Sequence, residues 1–189
     1  AKEQAGVDFE HIVIDGGSTD DSVSVIRDFA DYLSYRVSER DSGIYNAMNK
    51  GIAAAKGTYL LFLNSGDYLL GSNSLSYFKS GMDERVDIVY GNLVISSPDG
   101  SFIQKYNSTL SFSELCRMSL PHPSAVIKKH VFHTCFLYNE KLKISSDFEL
   151  FLVAICKMNC TYNYVDKEVS MHEHGGISSD PVNENLILL

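Results

Sequence analysis

Three carboxylates stand where the chain passes from one kind of element to another, and such positions can carry chemistry. Asp15 ends the apolar run His11-Ile12-Val13-Ile14 and precedes Gly16, Gly17, Ser18 and Thr19. A carboxylate at a strand end, beside glycines that permit close approach, can accept hydrogen bonds from a ribose or a base edge. Asp67 closes the polar turn Asn64-Ser65-Gly66-Asp67 after an apolar run at 58–64. There it can bind Mg²⁺ or Mn²⁺ together with phosphate oxygens. Asp147 follows Ser145 and Ser146 at the start of an apolar helical pattern, where an exposed carboxylate can serve as a general base. Each position also has a plainer structural reading. The first can be a turn with a helix cap, the second a type I turn, and the third an acid favoured by the helix dipole. The spacing at 15–20 is not the dinucleotide fingerprint, because GGSTDD lacks GxGxxG.

Other polar positions cluster more loosely. Arg40 and Asp41 precede a helical pattern whose polar side carries Asn46, Asn49 and Lys50. A cap from Asp41 or Ser42 above a solvated helix face accounts for them equally well. His122 lies between Pro121 and Pro123 in a rigid segment, and His130 and His133 fit a helix surface. His172 and His174 alternate around Glu173 in a strand pattern, so both point to one side and can share a ligand. Alone they are too little for a zinc site.

The elements that must position these groups follow from hydrophobic periodicity. Residues 10–15, 35–39, 58–64, 87–92 and 161–173 read as strands. A hairpin pairs Asn92–Ser96 with Ser101–Tyr106 around Pro98-Asp99-Gly100. Helices are expected at 20–33, 42–56, 73–80, 111–118, 128–136 and 146–158. The first would bury Val23, Ile26, Phe29, Ala30 and Leu33, with Ser18 or Asp20 as cap. The second would bury Ile44, Ala47, Met48, Gly51, Ile52 and Ala55 and stop at Gly57. The last would start from a serine cap at 145 or 146 and bury Phe148, Phe151, Leu152 and Ile155. Strands alternating with helices in the first half indicate an α/β fold with a mainly parallel central sheet and a small antiparallel addition. In such sheets ligands sit beyond the carboxyl ends of the strands, which is where Asp15 and Asp67 fall. An unpaired apolar strand edge is expected beside residues 10–15.

Composition narrows the function classes. With 189 residues and 44% hydrophobic content, the chain suits one domain with a sizeable core. A net charge of −8 argues against a general nucleic-acid binder. Cys116, Cys135, Cys156 and Cys160 show no CxxC spacing, so reduced thiols and a cytosolic setting are the default. Cys156 and Cys160 are expected to share a core-facing stripe. No apolar run reaches the ~20 residues of a membrane span.

Taken in order, these segments resemble the GT-A glycosyltransferases of family 2. They look closest to the bacterial branch that builds capsular, colanic-acid-like and other surface polysaccharides. EHIVIDGGSTDDS (10–22) is similar to the family's nucleotide-binding strand and turn, and SERDSGIYNAMNKGIAAAKGTYLLFLNSGD (38–67) resembles the stretch leading into its metal motif. LPHPSAVIKK and SSDFELFLVA resemble the acceptor half, and GGISS the end of the catalytic core. Three departures stand out. The family's opening strand is absent, so 1–189 is expected to be a single GT-A domain lacking its first βα unit. The more usual DDGS is DGGS here, and DSDD is NSGD, which leaves Asp67 as its one carboxylate.

The resemblance implies an inverting glycosyltransferase that moves a sugar from a nucleoside-diphosphate sugar, a UDP-sugar favoured, to a hydroxyl acceptor. Asp147 would be the catalytic base and Asp67 the ligand of Mn²⁺ or Mg²⁺. Asp15, Gly17, Ser18, Arg40, Asp41 and His174 would bind the nucleotide and donor. The acceptor would be a saccharide or lipid-linked saccharide, in the cytoplasm or at the inner face of the membrane, with peripheral membrane association allowed. The alternatives are a non-catalytic nucleotide-sugar-binding domain and a sugar nucleotidyltransferase.

Overall fold

The computed structural model of the chain describes residues 3–173 and Gly175. Strand β1 (Ile12–Asp15) leads through helix α1 (Ser22–Asp28) and a 3-10 turn at Ala30–Tyr32 to β2 (Tyr35–Ser38), which lies parallel to β1. A parallel pair needs such a crossover, because a tight turn cannot connect it. The expected helix over 20–33 is therefore shorter than its periodicity suggests. Its α-helical geometry stops at Phe29, α1 buries no residue, and Phe29 is 52% exposed. A segment rich in Ser and Val has weak intrinsic helicity and needs a packed face to extend it. Ser18 does not cap α1; Asp20 Oδ1 accepts the Ser22 amide at 3.0 Å.

Helix α2 (Ile44–Ala54) buries Tyr45, Met48 and Ile52, and it ends before Gly57 because Ala55 is already extended. Strands β3 (Tyr59–Leu61) and β4 (Asp67–Leu69), helix α3 (Ser74–Gly81), the hairpin β5 (Ile88–Ser97) and β6 (Gly100–Gln104), and helix α4 (Phe112–Arg117) follow. Helix α4 starts from a reciprocal capping box between Ser111 and Glu114. Strand β7 (Ala125–Lys128), helices α5 (Lys129–Thr134) and α6 (Ser146–Cys156), and strand β8 (Tyr162–Glu173) complete the described chain.

Six strands form one sheet in the order β3-β7-β5-β8-β4, with β6 on the edge of β5. The fold is α/β, as expected, but antiparallel pairing reaches further into the sheet than strand–helix alternation predicts. β5 and β8 are parallel, whereas β3–β7, β5–β7, β5–β6 and β4–β8 are antiparallel. The difference arises from β4 and β7, two short strands without a strand pattern. β7 is buried at all four positions, so it shows no alternation, and β4 begins inside the NSGD turn. The β1–β2 pair stands apart from this sheet, and among the described residues β1 pairs with β2 alone.

Alternate residues of the central strands feed two cores. Ile88, Tyr90, Ala125 and Ile127 face a cluster with Leu115, Phe132, Leu150 and Phe151, while Val89 and Val126 face Phe78 and Val169. In α6, Leu150, Phe151, Ala154 and Ile155 are buried, whereas Phe148 and Leu152 are only partly so. Cys156 and Cys160 do not share a stripe. α6 ends at Cys156, which is exposed, and Asn159 at φ 54° turns the chain toward β8. Cys160 instead lies beside Cys135, and burial pushes its thiol up to about 12. No helix among the described residues is long and apolar enough to cross a membrane.

Gly91 shows how tightly β5 and β8 approach. A Cβ there would lie 2.9 Å from the Lys167 carbonyl oxygen, beside a shift in the β5–β8 register. Gly91→Ala is therefore expected to lower unfolding free energy by about 1–3 kcal/mol, read from urea denaturation. An unchanged midpoint and slope would show that the crossing relaxes freely.

Candidate active site

Asp15 is 8% exposed at the end of β1. Its carboxylate accepts the amides of Gly17 (3.2 Å) and Ser18 (3.1 Å), the Ser18 hydroxyl, and the Ser38 hydroxyl from the end of β2 (2.6 Å). These bonds, led by the Ser18 and Ser38 hydroxyls, hold its pKa down at about 2 against the opposing effect of burial. Asp15 thus organises the turn from within, and Gly16–Asp20 form its exposed surface. Gly16 packs closely on Asp41: a Cβ there would fall 2.4 Å from Asp41 Oδ2, so that side chain would have to move. Gly17 takes φ 88°, and its Cβ position is 3.3 Å from the Arg40 amide nitrogen. Asp15, Gly17, Ser18, Arg40 and Asp41 therefore form one cluster, with the Arg40 side of it exposed.

Asp67 belongs to a second group. It opens β4 directly opposite His172 of β8. Its side chain is 1% exposed, its Oδ1 lies 2.7 Å from His172 Nδ1, and its Oδ2 accepts the Asn64 amide at 2.9 Å. The Asp67 hydrogen bond raises the His172 pKa, although partial burial opposes it. The pair offers a carboxylate and an imidazole in contact, a donor set that suits Mn²⁺ better than Mg²⁺, which favours oxygen ligands. No cluster of three ligating side chains occurs among the described residues. Both Asp67 oxygens already hold hydrogen bonds, so a cation held by this pair would need its remaining ligands from a bound donor or water. His174 lies outside the described residues.

Asp147 stands in the first turn of α6, half-buried. The expected serine cap is not formed: Ser145 sits in the left-handed region at φ 74°, and no side chain at that position caps the helix. The Tyr45 hydroxyl from α2 takes over, accepting the Ser146 amide at 3.0 Å and donating to Asp147 Oδ1 at 2.9 Å. Beside it the Tyr138 hydroxyl lies 2.8 Å from His122 Nε2. The His122 ring stacks on Phe62 with centroids 5.2 Å apart. Burial lowers the His122 pKa, while the charges of Asp147 and Asp67 oppose that shift. The imidazole is buried, at 6% exposure.

Helix α2 links the Asp15 cluster to Asp147. Asp41 Oδ1 accepts the Gly43 amide at its start (3.0 Å), and two residues later Tyr45 holds Asp147. Its polar side is not a solvated face. The Asn49 side-chain amide pairs with both the carbonyl (2.9 Å) and the amide (3.0 Å) of Tyr138. Asn46 and Asn49 also donate to Glu140, so α2 pins the loop that leads into α6. Lys50 pairs with Glu39 at 2.8 Å. Tyr45, Tyr138 and Glu140 escape sequence reasoning, since tyrosines read as core and Glu140 as a loop acid. Only the two prolines around His122 hinted at a constrained position.

Because folding lowers the Asp15 pKa, this group stabilises the fold at neutral pH. That contribution is lost as pH falls from about 4, the usual Asp value, through its folded value of about 2. Asp15→Asn is expected to cost on the order of 1–3 kcal/mol at pH 7 and to flatten the acid limb of stability against pH. A parallel acid limb in the variant would show that other carboxylates govern it.

The family described as glycosyl transferase family 2 matches residues 1–143. The PGL/p-HBAD biosynthesis glycosyltransferase of Mycobacterium bovis BCG is 28% identical over 99% of this chain and 74% of its own length. Among solved structures, S. aureus TarS in complex with UDP-GlcNAc superposes with a TM-score of 0.73 at 18% identity, over 92% of this chain and 52% of that one. A mannosyltransferase from Pyrobaculum calidifontis in complex with GDP-Man and Mn²⁺ gives 0.68 at 17% identity, over 94% and 52%. The chain thus spans about half the length of these solved structures, and they share its GT-A fold.

Proposed function

The chain belongs to glycosyl transferase family 2, and on that premise we propose that it transfers a sugar from a nucleoside-diphosphate sugar to a hydroxyl acceptor with inversion. What supports this reading is the family match over residues 1–143, together with Asp147 held at the head of α6 by the Tyr45 hydroxyl and Asp67 paired with His172. In a single displacement the acceptor oxygen bonds to the anomeric carbon as the bond to the diphosphate breaks. The acceptor proton passes to Asp147, and the nucleoside diphosphate leaves. The exposed turn 16–18, with Arg40 and Asp41, would receive the nucleotide and donor sugar, while Asp15 holds that turn in shape. Asp67 and His172 would hold a divalent cation, and His174 is proposed to reach the diphosphate or the cation. A bound cation supplies charge neutralisation for the leaving diphosphate.

TarS was solved with UDP-GlcNAc, and the mannosyltransferase with GDP-Man and Mn²⁺. These support a nucleotide-sugar donor, with a UDP-sugar or GDP-mannose to be tested first. A saccharide or lipid-linked saccharide in surface glycan assembly is the proposed acceptor. The second reading is a non-catalytic nucleotide-sugar-binding domain, favoured by NSGD retaining a single carboxylate. The same assay separates them: the protein is offered UDP-glucose, UDP-galactose, UDP-GlcNAc and GDP-mannose with Mn²⁺ or Mg²⁺. Release of nucleoside diphosphate supports transfer; binding without turnover of any donor supports the second reading.

Two variants probe the assigned roles. Asp147→Asn keeps shape but removes basicity, and turnover is expected to fall about 10²- to 10⁴-fold with donor binding little changed. Near-normal turnover would place the base elsewhere. His172→Ala is expected to weaken Mn²⁺ binding about 10-fold or more in calorimetry with UDP present. Unchanged Mn²⁺ affinity would remove His172 from the cation site.

A further inference from the structure

We propose that Tyr45 is the positioning residue of the candidate base, holding Asp147 in its productive orientation from the opposite half of the chain. This rests on the assignment of Asp147 as base and adds the group that aims it. The phenol oxygen accepts the Ser146 amide at 3.0 Å, so its single proton is free to be given to Asp147 Oδ1 at 2.9 Å. Two successive residues at the head of α6 are thereby held by one atom of α2. Ser145 is in the left-handed region and the Ser146 hydroxyl accepts the Asn139 amide at 2.7 Å, and among the described residues neither serine side chain bonds the Asp147 carboxylate.

The phenol is itself fixed on several sides. Tyr45 is 6% exposed, and its ring lies 5.5 Å from that of Tyr138. Tyr138 is locked in turn through its backbone by Asn49, on the same helix as Tyr45. Burial first, and the Asp147 charge second, raise the Tyr45 pKa well above the ordinary phenol value. The hydroxyl therefore keeps its proton and acts as a donor rather than as a second base. Oδ1 is spoken for, which leaves Oδ2 of Asp147 as the oxygen available to an acceptor hydroxyl.

The test is a double-mutant cycle on the protein, with nucleoside diphosphate release from the donor found active as the rate and UDP calorimetry as the binding control. Tyr45→Phe keeps the ring and removes the oxygen. Turnover is expected to fall about 10- to 100-fold, the scale of a small misplacement of a reacting group, while UDP affinity and donor KM stay unchanged. In the Asp147→Asn background the same change is expected to cost nothing further, since there is no base left to aim. Replacement of Tyr45 by 4-aminophenylalanine restores a ring-borne N–H at the same place, and it is expected to recover most of the lost turnover. This second variant is read alone where Tyr45→Phe does not fold.

Full turnover in Tyr45→Phe, an equal further loss in the double variant, or failure of the amino-substituted ring to recover activity would each overturn the positioning role. Near-normal turnover of Asp147→Asn is a different result. It removes the base assignment itself, and with it the function assigned to Tyr45.

Discussion

β8 can present His172 to Asp67 because it is held in place by its long parallel pairing with β5, from Ile88↔Tyr162 to Ser96↔Glu173. Much of the molecule depends on that crossing. β5 draws residues into both cores through its alternate faces, and β7 and β6 pair along it. β4, only three residues long, pairs among the described residues with β8 alone. A strand that short has little stability of its own, so the position of Asp67 is inherited from the β5–β8 pair. The register shift beside Gly91 and Asn92 is part of the same constraint. There the Asn92 side chain, fully buried, donates to Asp166 and accepts from Tyr106 and Tyr164, so its amide is satisfied inside the irregularity.

A second helix–loop linkage carries this order to the other carboxylate. α2 touches the Asp15 turn at its start and the Asp147 helix through Tyr45, while Asn46 and Asn49 anchor the intervening loop by way of Glu140 and Tyr138. The bonds are side chain to backbone or side chain to side chain across about a hundred residues of sequence, and they replace the local caps that α6 lacks. Burial lowers the His122 pKa against the opposing charges of Asp147 and Asp67.

The local part of this arrangement is legible in the amino-acid sequence. Apolar periodicity locates β1, β2, β5, the β5–β6 hairpin, α2, α3, α4, α6 and β8 to within a few residues, because each has a buried face that repeats at its own period. Abrupt carboxylates after apolar runs single out Asp15 and Asp67, and the acid at a helix start singles out Asp147. Where periodicity has nothing to report, the reading falls short. β7 is buried on every side, β4 is too short to alternate, and the second half of the 20–33 pattern is apolar yet unburied. Cys156 and Cys160 keep helical spacing across a boundary that only the left-handed Asn159 reveals.

Residue types and order thus determined by themselves the fold class, the family and the three acids, because strand and helix formation and the turns after them are short-range events. Which groups meet was decided by tertiary structure alone. Asp67 against His172, Tyr45 against Asp147 and Asn49 against Tyr138 are separated by 105, 102 and 89 positions. Asp15 looked free for a ligand until β2 brought Ser38 to it, and His122 looked like one rigid residue among several until packing enclosed it. Such contacts depend on sheet register and on which helix face lies over which strand, and these are settled by the burial of the whole core rather than by any segment of it.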